Sequence, residues 1–309
     1  MSPPVPEPVT VEPWFSPRIW GTRDLGPYYP PVALEAEPVG EAWLTAPHCR
    51  LSGAGEELSA WWERAGAAWS GATGAVPGPF PWLIKLLFPR DYLSIQVHPD
   101  DGYAAAHGLG RGKTEMWHVL AAEPGAKLAL GLRDGASLAD LAAACRGGGR
   151  AADLLRWIEP APGETFFIPA GTVHAMGPGL VIAEVQQPSD NTFRLDDYGR
   201  RDAGGKLREL HLDAGLAVAR ERTAAGRVAP APDGWLLRCR YFSARRIELR
   251  RGQSLPLPSS LRVLVALAGE LRLAGGHALP RARAVVLPLA PATLAGEGMA
   301  LEVTPGVPA

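Results

Sequence analysis

Three short segments of the chain hold side chains that could bind a metal ion. Gln96 and His98 are separated by one residue, and so are Lys113 and Glu115. Because residues i and i+2 of a strand point to the same face of a sheet, each pair could reach one point inside a β-structure. The third segment, residues 163–174, has the pattern G-x5-P-x-G-x2-H and ends at His174. Its glycines and proline are typical of turns at strand ends.

Two imidazoles, one carboxylate and one amide oxygen form a suitable ligand set for a divalent cation. Zinc binds nitrogen and oxygen ligands and keeps an open position in catalytic sites. Iron and manganese could use the same two histidines and carboxylate, so the residue types alone leave the metal open. The candidate ligands are Gln96, His98, Glu115 and His174. The other histidines are expected to be ordinary core or surface residues: His48, His107, His118, His211 and His277.

These residues are predicted to be positioned mainly by short strands. Alternating polarity indicates a strand over Tyr92–Val97, and residues 116–132 indicate two strands around a turn at 123–125. Apolar spacing predicts a helix over Glu57–Trp69. Shorter helices are predicted over residues 137–145, 153–157 and 214–222, further strands over 164–176 and 180–187, a linker over 228–234, and only strands and turns beyond it.

Composition narrows the class of protein. The chain has 309 residues, 31 prolines, 36 glycines and a formal net charge of −1. A nucleic-acid-binding protein would normally show a basic excess, so we expect no nucleic-acid partner. The N-terminal residues have no signal-peptide pattern, and no apolar run is long enough to span a membrane, so we expect a cytoplasmic protein without membrane association. The three cysteines, Cys49, Cys145 and Cys239, are expected to be reduced.

The arrangement of the motifs resembles the cupin superfamily, and within it the type I mannose-6-phosphate isomerases of the short bacterial type. Residues 163–174 match the second cupin motif through its histidine, although Pro178 replaces the expected asparagine. The first cupin motif is altered, with Gln96 in place of a histidine and 16 residues between His98 and Glu115. The isomerase resemblance is carried by IQVHPDD (95–101), GKTEMWHVL (112–120), FFIPAGTVHAMGPG (166–179) and EVQQPSDNTFRLDDYGR (184–200).

This resemblance implies a fold, a reaction and a set of site residues. The implied fold is mainly β, with two cupin-like jelly-roll β-barrel domains. Residues 1–227 would form the catalytic domain, with a helical insertion at about 134–158, and residues 228–309 a smaller domain without metal. The implied reaction interconverts mannose 6-phosphate and fructose 6-phosphate through a cis-enediol. One Zn²⁺ per chain would be held by Gln96, His98, Glu115 and His174, with Arg194, Lys113 and Glu184 in catalysis.

Several alternatives stay open at this point. Either Glu184 or Lys113 could move the proton, and either Arg194 or Lys113 could hold the phosphate. Phe193 and Asp196 stand where the family usually has tyrosines beside the arginine. The same ligand set could serve an iron-dependent cupin dioxygenase, or a sugar-binding cupin without catalytic activity. The chain could be a monomer or a homodimer.

Overall fold

The computed structural model describes residues 6–30, 37–71, 78–147, 150–201, 204–229 and 231–307. The helices are α1 (Leu58–Ser70), α2 (Asp101–Ala106), α3 (Leu138–Gly147) and α4 (Leu212–Val218), with one 3-10 helix at Ala151–Leu154. The strands are β1 (Val9–Val11), β2 (Trp14–Thr22), β3 (Val39–Trp43), β4 (Leu83–Leu87), β5 (Ile95–Val97), β6 (Glu115–Ala122), β7 (Leu128–Leu132), β8 (Leu155–Ile158), β9 (Thr165–Ile168), β10 (His174–Met176), β11 (Leu180–Gln186), β12 (Phe193–Asp196), β13 (Gly226–Val228), β14 (Trp235–Arg238), β15 (Phe242–Leu257), β16 (Arg262–Leu273), β17 (Ala278–Leu279), β18 (Ala284–Leu287) and β19 (Ala292–Pro305).

Two antiparallel sheets face each other and enclose the candidate site residues. One has the strand order β13-β9-β6-β11-β4-β3-β2, and the other has the order β12-β5-β10-β7-β8. Trp117 and Ile182 of the first sheet share an apolar cluster with Leu130 and Met176 of the second. The two sheets therefore enclose a common interior, and residues of alternate parity on each strand point into it.

A third sheet, formed mostly by the C-terminal third of the chain, packs on the outer face of the first. Its order is β1-β18-β16-β19-β15-β14, with β17 paired to β16. Ile84 and Leu86 of β4 belong to the same apolar cluster as Val263 and Leu301 of this third sheet. Both faces of the sheet that contains β4 are therefore buried, so this sheet is the central layer of the molecule. Its strands are held in place by packing on both sides.

The strand β1 shows that the third sheet is not made only of C-terminal residues. Val9–Val11 pairs antiparallel with β18. The division of the chain into domains between residues 227 and 228 stays a prediction. The N-terminal strand β1 nevertheless pairs with a strand from the C-terminal side of that division. Each of the three sheets has two ends among the described residues, so the structure is mainly β, as predicted, and shows no closed barrel there.

Most of the predicted elements are present, with shifted ends. The predicted helix at 57–69 is α1, which buries three tryptophans and ends at Gly71 in the left-handed conformation that glycine allows. The short helix predicted near residues 153–157 is wrong for its second half. There the chain forms β8, because Ile158 pairs with Leu128 at the edge of the five-stranded sheet. The predicted helix at 214–222 starts earlier and ends at Val218.

Two predicted break points fall partly outside the described residues, namely the glycine run at 147–149 and the linker at 228–234. Across the described part of the chain, no helix has the length and apolar character that crossing a membrane requires.

Candidate metal centre and active site

Three of the predicted metal ligands meet between the two facing sheets. His98 follows β5 and His174 begins β10 on one sheet, while Glu115 begins β6 on the other. Nε2 of His98 lies 3.5 Å from Oε2 of Glu115, and Nε2 of His174 lies 3.5 Å from Oε1 of the same carboxylate. All three ligand atoms lie within 4.8 Å of one another, and all three side chains are buried.

The turn that precedes His174 depends on Gly171. This residue has φ of 84°, and an added Cβ would lie 2.9 Å from the side chain of Arg220 and 3.0 Å from the carbonyl of Val218. Its backbone N–H donates to the carbonyl of His98. The glycine of the sequence motif therefore joins the two histidine segments directly.

The hydrogen bonds of the two imidazoles orient them for metal binding. Nδ1 of His98 donates to the carbonyl of Asn191 at 2.8 Å, and Nδ1 of His174 donates to the carbonyl of Thr172 at 2.9 Å. Because a carbonyl oxygen only accepts, each Nδ1 carries the hydrogen and each Nε2 presents a lone pair to the centre. Such backbone partners are the usual way in which a metal-binding histidine is held in one tautomer.

Among the described residues, the ligand atoms of the triad accept or donate no hydrogen bond, although the Lys113 ammonium lies 3.2 Å from Oε2 of Glu115. Both Nε2 atoms and both oxygens of Glu115 are buried without a hydrogen bond from the described part of the chain, and such burial is costly unless something else satisfies these atoms. Burial, with the nearby Lys113 cation, holds the pKa of His98 well below its ordinary value, and burial lowers the pKa of His174 to about 4. Both imidazoles are thus neutral near pH 7, the form that binds metals.

The spacing of the triad also fits a bound ion. Two ligand atoms that bind one tetrahedral zinc at ~2.1 Å lie about 3.4 Å apart. The two observed nitrogen–oxygen separations are 3.5 Å. The donor types, their burial and these two separations are therefore compatible with a divalent metal ion, which His98, Glu115 and His174 would hold.

The fourth predicted ligand, Gln96, lies beside the triad on the same sheet. It pairs with His174 on one side and with Arg194 on the other. Its half-buried side chain lines a cavity of about 340 Å³ that also contains Lys113, Glu184 and Arg194. The structure thus brings the predicted catalytic residues together around one cavity next to the triad.

Lys113 connects this cavity to the triad. Its buried Nζ lies 3.2 Å from Oε2 of Glu115, which also faces His98. The positive charge of Lys113 thus lies beside the carboxylate of Glu115, and Lys113 also lines the cavity that a substrate would fill. Lys113 is therefore placed to stabilise negative charge that develops close to the metal centre.

Glu184 lies on β11, buried in the central sheet. Its Oε2 accepts a hydrogen bond of 2.8 Å from the indole N–H of Trp117. Burial raises the pKa of Glu184 to about 7, helped by the Glu115 carboxylate and opposed by Lys113 and Lys85. A carboxyl with such a pKa can both accept and release a proton under ordinary conditions.

Arg194 lies on β12, at the edge of the five-stranded sheet. Its Nη1 donates to the carbonyl of Glu209 at 2.7 Å, and its Nε is buried without a hydrogen bond to any residue that the structure describes. Burial and the neighbouring Arg208 lower its pKa from the ordinary value. A second guanidinium beside it in the same cavity, Arg208, favours the binding of an anion there.

The cavity also holds a buried lysine that the sequence reasoning missed. Lys85 is 3% exposed, and its Nζ lies 3.3 Å from Asp190, 3.7 Å from Glu184 and 3.8 Å from Glu41. A signal for it was present, because Lys85 is the one charged residue in the apolar run Leu83–Leu87. A lysine in a buried strand is rarely there without partners.

His118 lies outside the triad, as expected from its position on the other face of β6. Its Nδ1 bonds with the hydroxyl of Thr165 at 2.9 Å, and burial lowers its pKa to about 4. It is buried like the ligands but faces the third sheet.

Comparison with known proteins identifies the family. No protein-family model matches the chain. The mannose-6-phosphate isomerase ManA of Bacillus subtilis is 33% identical over 286 residues, which cover 88% of this chain and 89% of that protein. The chain belongs to the mannose-6-phosphate isomerase family.

Other members of the mannose-6-phosphate isomerase family agree in sequence and in fold. The mannose-6-phosphate isomerase of Streptococcus mutans is 33% identical over 224 residues, 68% of each chain. The crystal structure of the mannose 6-phosphate isomerase from Bacillus subtilis superposes with a TM-score of 0.84, at 27% identity, and covers 96% of this chain and 99% of that one. A variant of phosphomannose isomerase from Salmonella typhimurium shares the fold, with a TM-score of 0.76 at 18% identity and coverage of 97% and 100%.

Proposed function

We propose that this protein is a zinc-dependent isomerase that interconverts mannose 6-phosphate and fructose 6-phosphate through a cis-enediol. The observation that supports it best is the buried triad of His98, Glu115 and His174, whose ligand atoms have no hydrogen bond within the described residues, beside a cavity that holds Glu184 and several cations. Membership of the family supplies the substrate, because the relatives are named for mannose 6-phosphate.

The reaction requires a proton to move between C1 and C2 of the open-chain sugar. When bound, zinc would polarise the oxygens on these carbons and make the carbon-bound proton more acidic. Gln96 would add a fourth ligand from the strand that also precedes His98. The residues of the chain must then orient the sugar, move the proton and balance the charge.

Glu184 is the residue best suited to move the proton. Its carboxyl lines the cavity, is buried, and has a pKa near neutrality. Such a group can remove the proton from one carbon and return it to the next without leaving the site. Lys113 is a weaker candidate, because its charge is already paired with the carboxylate of Glu115.

Lys113 and Arg194 would then divide the remaining electrostatic work. Lys113 lies beside the metal ligands and would stabilise the negative charge of the enediolate. Arg194 has an unpartnered Nε and a neighbouring guanidinium, Arg208, in the cavity. A planar guanidinium fork matches the oxygens of a phosphate, so we assign Arg194 to the phosphate end of the substrate.

The remaining predictions about the chain belong to the same proposal. The two facing sheets around the triad would form a jelly-roll sandwich of the cupin type. The third sheet, apart from β1, would form a second, metal-free unit that starts near residue 228. A cytoplasmic location and a monomeric or homodimeric state stay predictions.

The direct test is turnover of mannose 6-phosphate before and after chelation, followed by addition of zinc. We expect activity to disappear with the metal and to return with zinc. Absence of turnover in the zinc-loaded protein would refute the isomerase. Oxygen uptake by the iron-loaded protein would instead indicate a dioxygenase, and binding of the sugar phosphate without turnover would indicate a binding protein.

A further inference from the structure

A row of four side chains crosses the central sheet at the level of the cavity. Trp43 of β3 pairs with Lys85 of β4, Lys85 pairs with Glu184 of β11, and Glu184 pairs with Trp117 of β6. Directly opposite residues on neighbouring strands point to the same face of the sheet. A buried cation and a buried carboxyl are thus flanked by two tryptophans.

The two oxygens of Glu184 have different surroundings in this row. Oε2 accepts the indole hydrogen bond of Trp117 at 2.8 Å. Oε1 faces Nζ of Lys85 at 3.7 Å, which is too long for a hydrogen bond. Oε2 therefore accepts a hydrogen bond from a neutral donor, whereas the contact of Oε1 with Lys85 is an ion pair without a hydrogen bond, which leaves Oε1 able to take up or release a proton.

Trp117 also contacts the metal centre. Its ring packs edge-to-face on the imidazole of His174, with 5.4 Å between centroids and 79° between planes. The indole is 1% exposed, so it cannot turn away without opening the interior. The indole is therefore held in place by the ring contact with His174, and its N–H points at the carboxyl that we assign to proton transfer.

We propose that Trp117 is a positioning residue for the isomerisation: its indole N–H fixes Oε2 of Glu184, and so makes Oε1 the oxygen that exchanges the proton with the sugar. This inference rests on the proposed isomerase function. Trp117 acts through Glu184, because its polar atom is bonded to that carboxyl.

The first test removes the N–H with two variants, one with a smaller aromatic ring and one that keeps the shape of the indole. We expect Trp117→Phe to lower kcat by about 10- to 100-fold, the effect of losing a hydrogen bond to a charged group, with KM nearly unchanged. Replacement of Trp117 by 3-benzothienylalanine, which has a sulfur in place of the N–H, should give the same loss with normal metal content. Full activity of the benzothienyl variant would overturn the inference.

The second test asks whether Trp117 acts through Glu184. In a Glu184→Gln background, adding Trp117→Phe should change kcat by less than about twofold, because the two residues act as one unit. Full multiplication of the two single losses would refute the positioning role. The control is Trp157→Phe, which removes an indole N–H that donates to the carbonyl of Ala152, away from the cavity.

Failure of this inference can be told from failure of the proposed function. If the wild-type protein with zinc does not isomerise mannose 6-phosphate, the function itself is wrong. If the wild-type protein is active and both Trp117 variants match it, only the role of Trp117 is wrong.

Discussion

Replacing the buried lysine should reveal how the cavity balances its charges. Lys85 is 3% exposed and faces three carboxylates at 3.3–3.8 Å. Lys85→Met keeps most of the side-chain volume but removes the cation. Breaking a buried ion pair by deleting one partner costs about 3–5 kcal/mol, because the other charge stays buried.

The structure places the expected loss at the lower end of that range. Glu41 keeps the guanidinium of Arg18, 3.0 Å away, and Asp190 can be hydrated because its side chain is 55% exposed. Glu184 is the buried carboxylate that loses an ion pair, the 3.7 Å contact with Lys85, while it keeps the hydrogen bond from Trp117. Since its pKa is already raised to about 7, it can take up a proton instead of remaining charged. We therefore expect a loss of about 3 kcal/mol in the free energy of unfolding.

The same reasoning gives the pH dependence. A carboxyl whose pKa is higher in the folded than in the unfolded state favours folding less as the pH rises between those two values. Without Lys85 the folded-state pKa of Glu184 rises further, and this interval extends above neutrality. The loss in Lys85→Met should therefore be larger at about pH 8.5 than at about pH 6.5.

Urea unfolding of the chelated protein, followed by tryptophan fluorescence, would measure both effects. The control is Arg64→Met, which breaks an exposed pair with Glu56 and should cost about 0.5 kcal/mol or less. If Lys85→Met lowers the free energy of unfolding no more than this control does, the buried lysine does not stabilise the buried carboxylates and the reasoning is refuted. An equal loss at both pH values would show that Glu184 is not the group that responds.

Two further substitutions test the site itself. His174→Ala should abolish metal binding and isomerase activity together, as metal analysis and an activity assay would show. The control is His118→Ala, which removes an equally buried histidine outside the triad and should keep the metal. An active, metal-free His174→Ala protein would contradict the assignment. Arg194→Ala should lower kcat/KM by about 10- to 100-fold, the effect of losing a hydrogen bond to a charged group such as the phosphate. Metal content should be unchanged, and wild-type kinetics would remove Arg194 from the site.

The parts of the site that depend on local spacing could be predicted from the sequence. Strand alternation places Gln96 and His98 on one face of their strand, and it places Lys113 and Glu115 on one face of theirs. Each of these predictions depends only on residues that are close together in the sequence. The structure brings His98, Glu115 and His174 within 4.8 Å of one another. The β8 strand was missed because its partner, Leu128, lies about 30 residues earlier in the chain and leaves no local signal.

The row Trp43–Lys85–Glu184–Trp117 shows why the rest could not be predicted. Its members come from four strands, and Glu184 lies about 100 residues from Lys85 in sequence. Taken alone, none of these residues indicates a functional site, because they are two aromatic residues in apolar runs, one lysine and one glutamate. Their meaning comes only from the cross-strand register, which the turns and the packing of the sheets determine together. The candidate metal ligands can be recognised from motifs, whereas the surroundings of Glu184, the carboxyl proposed to transfer the proton, depend on the strand topology.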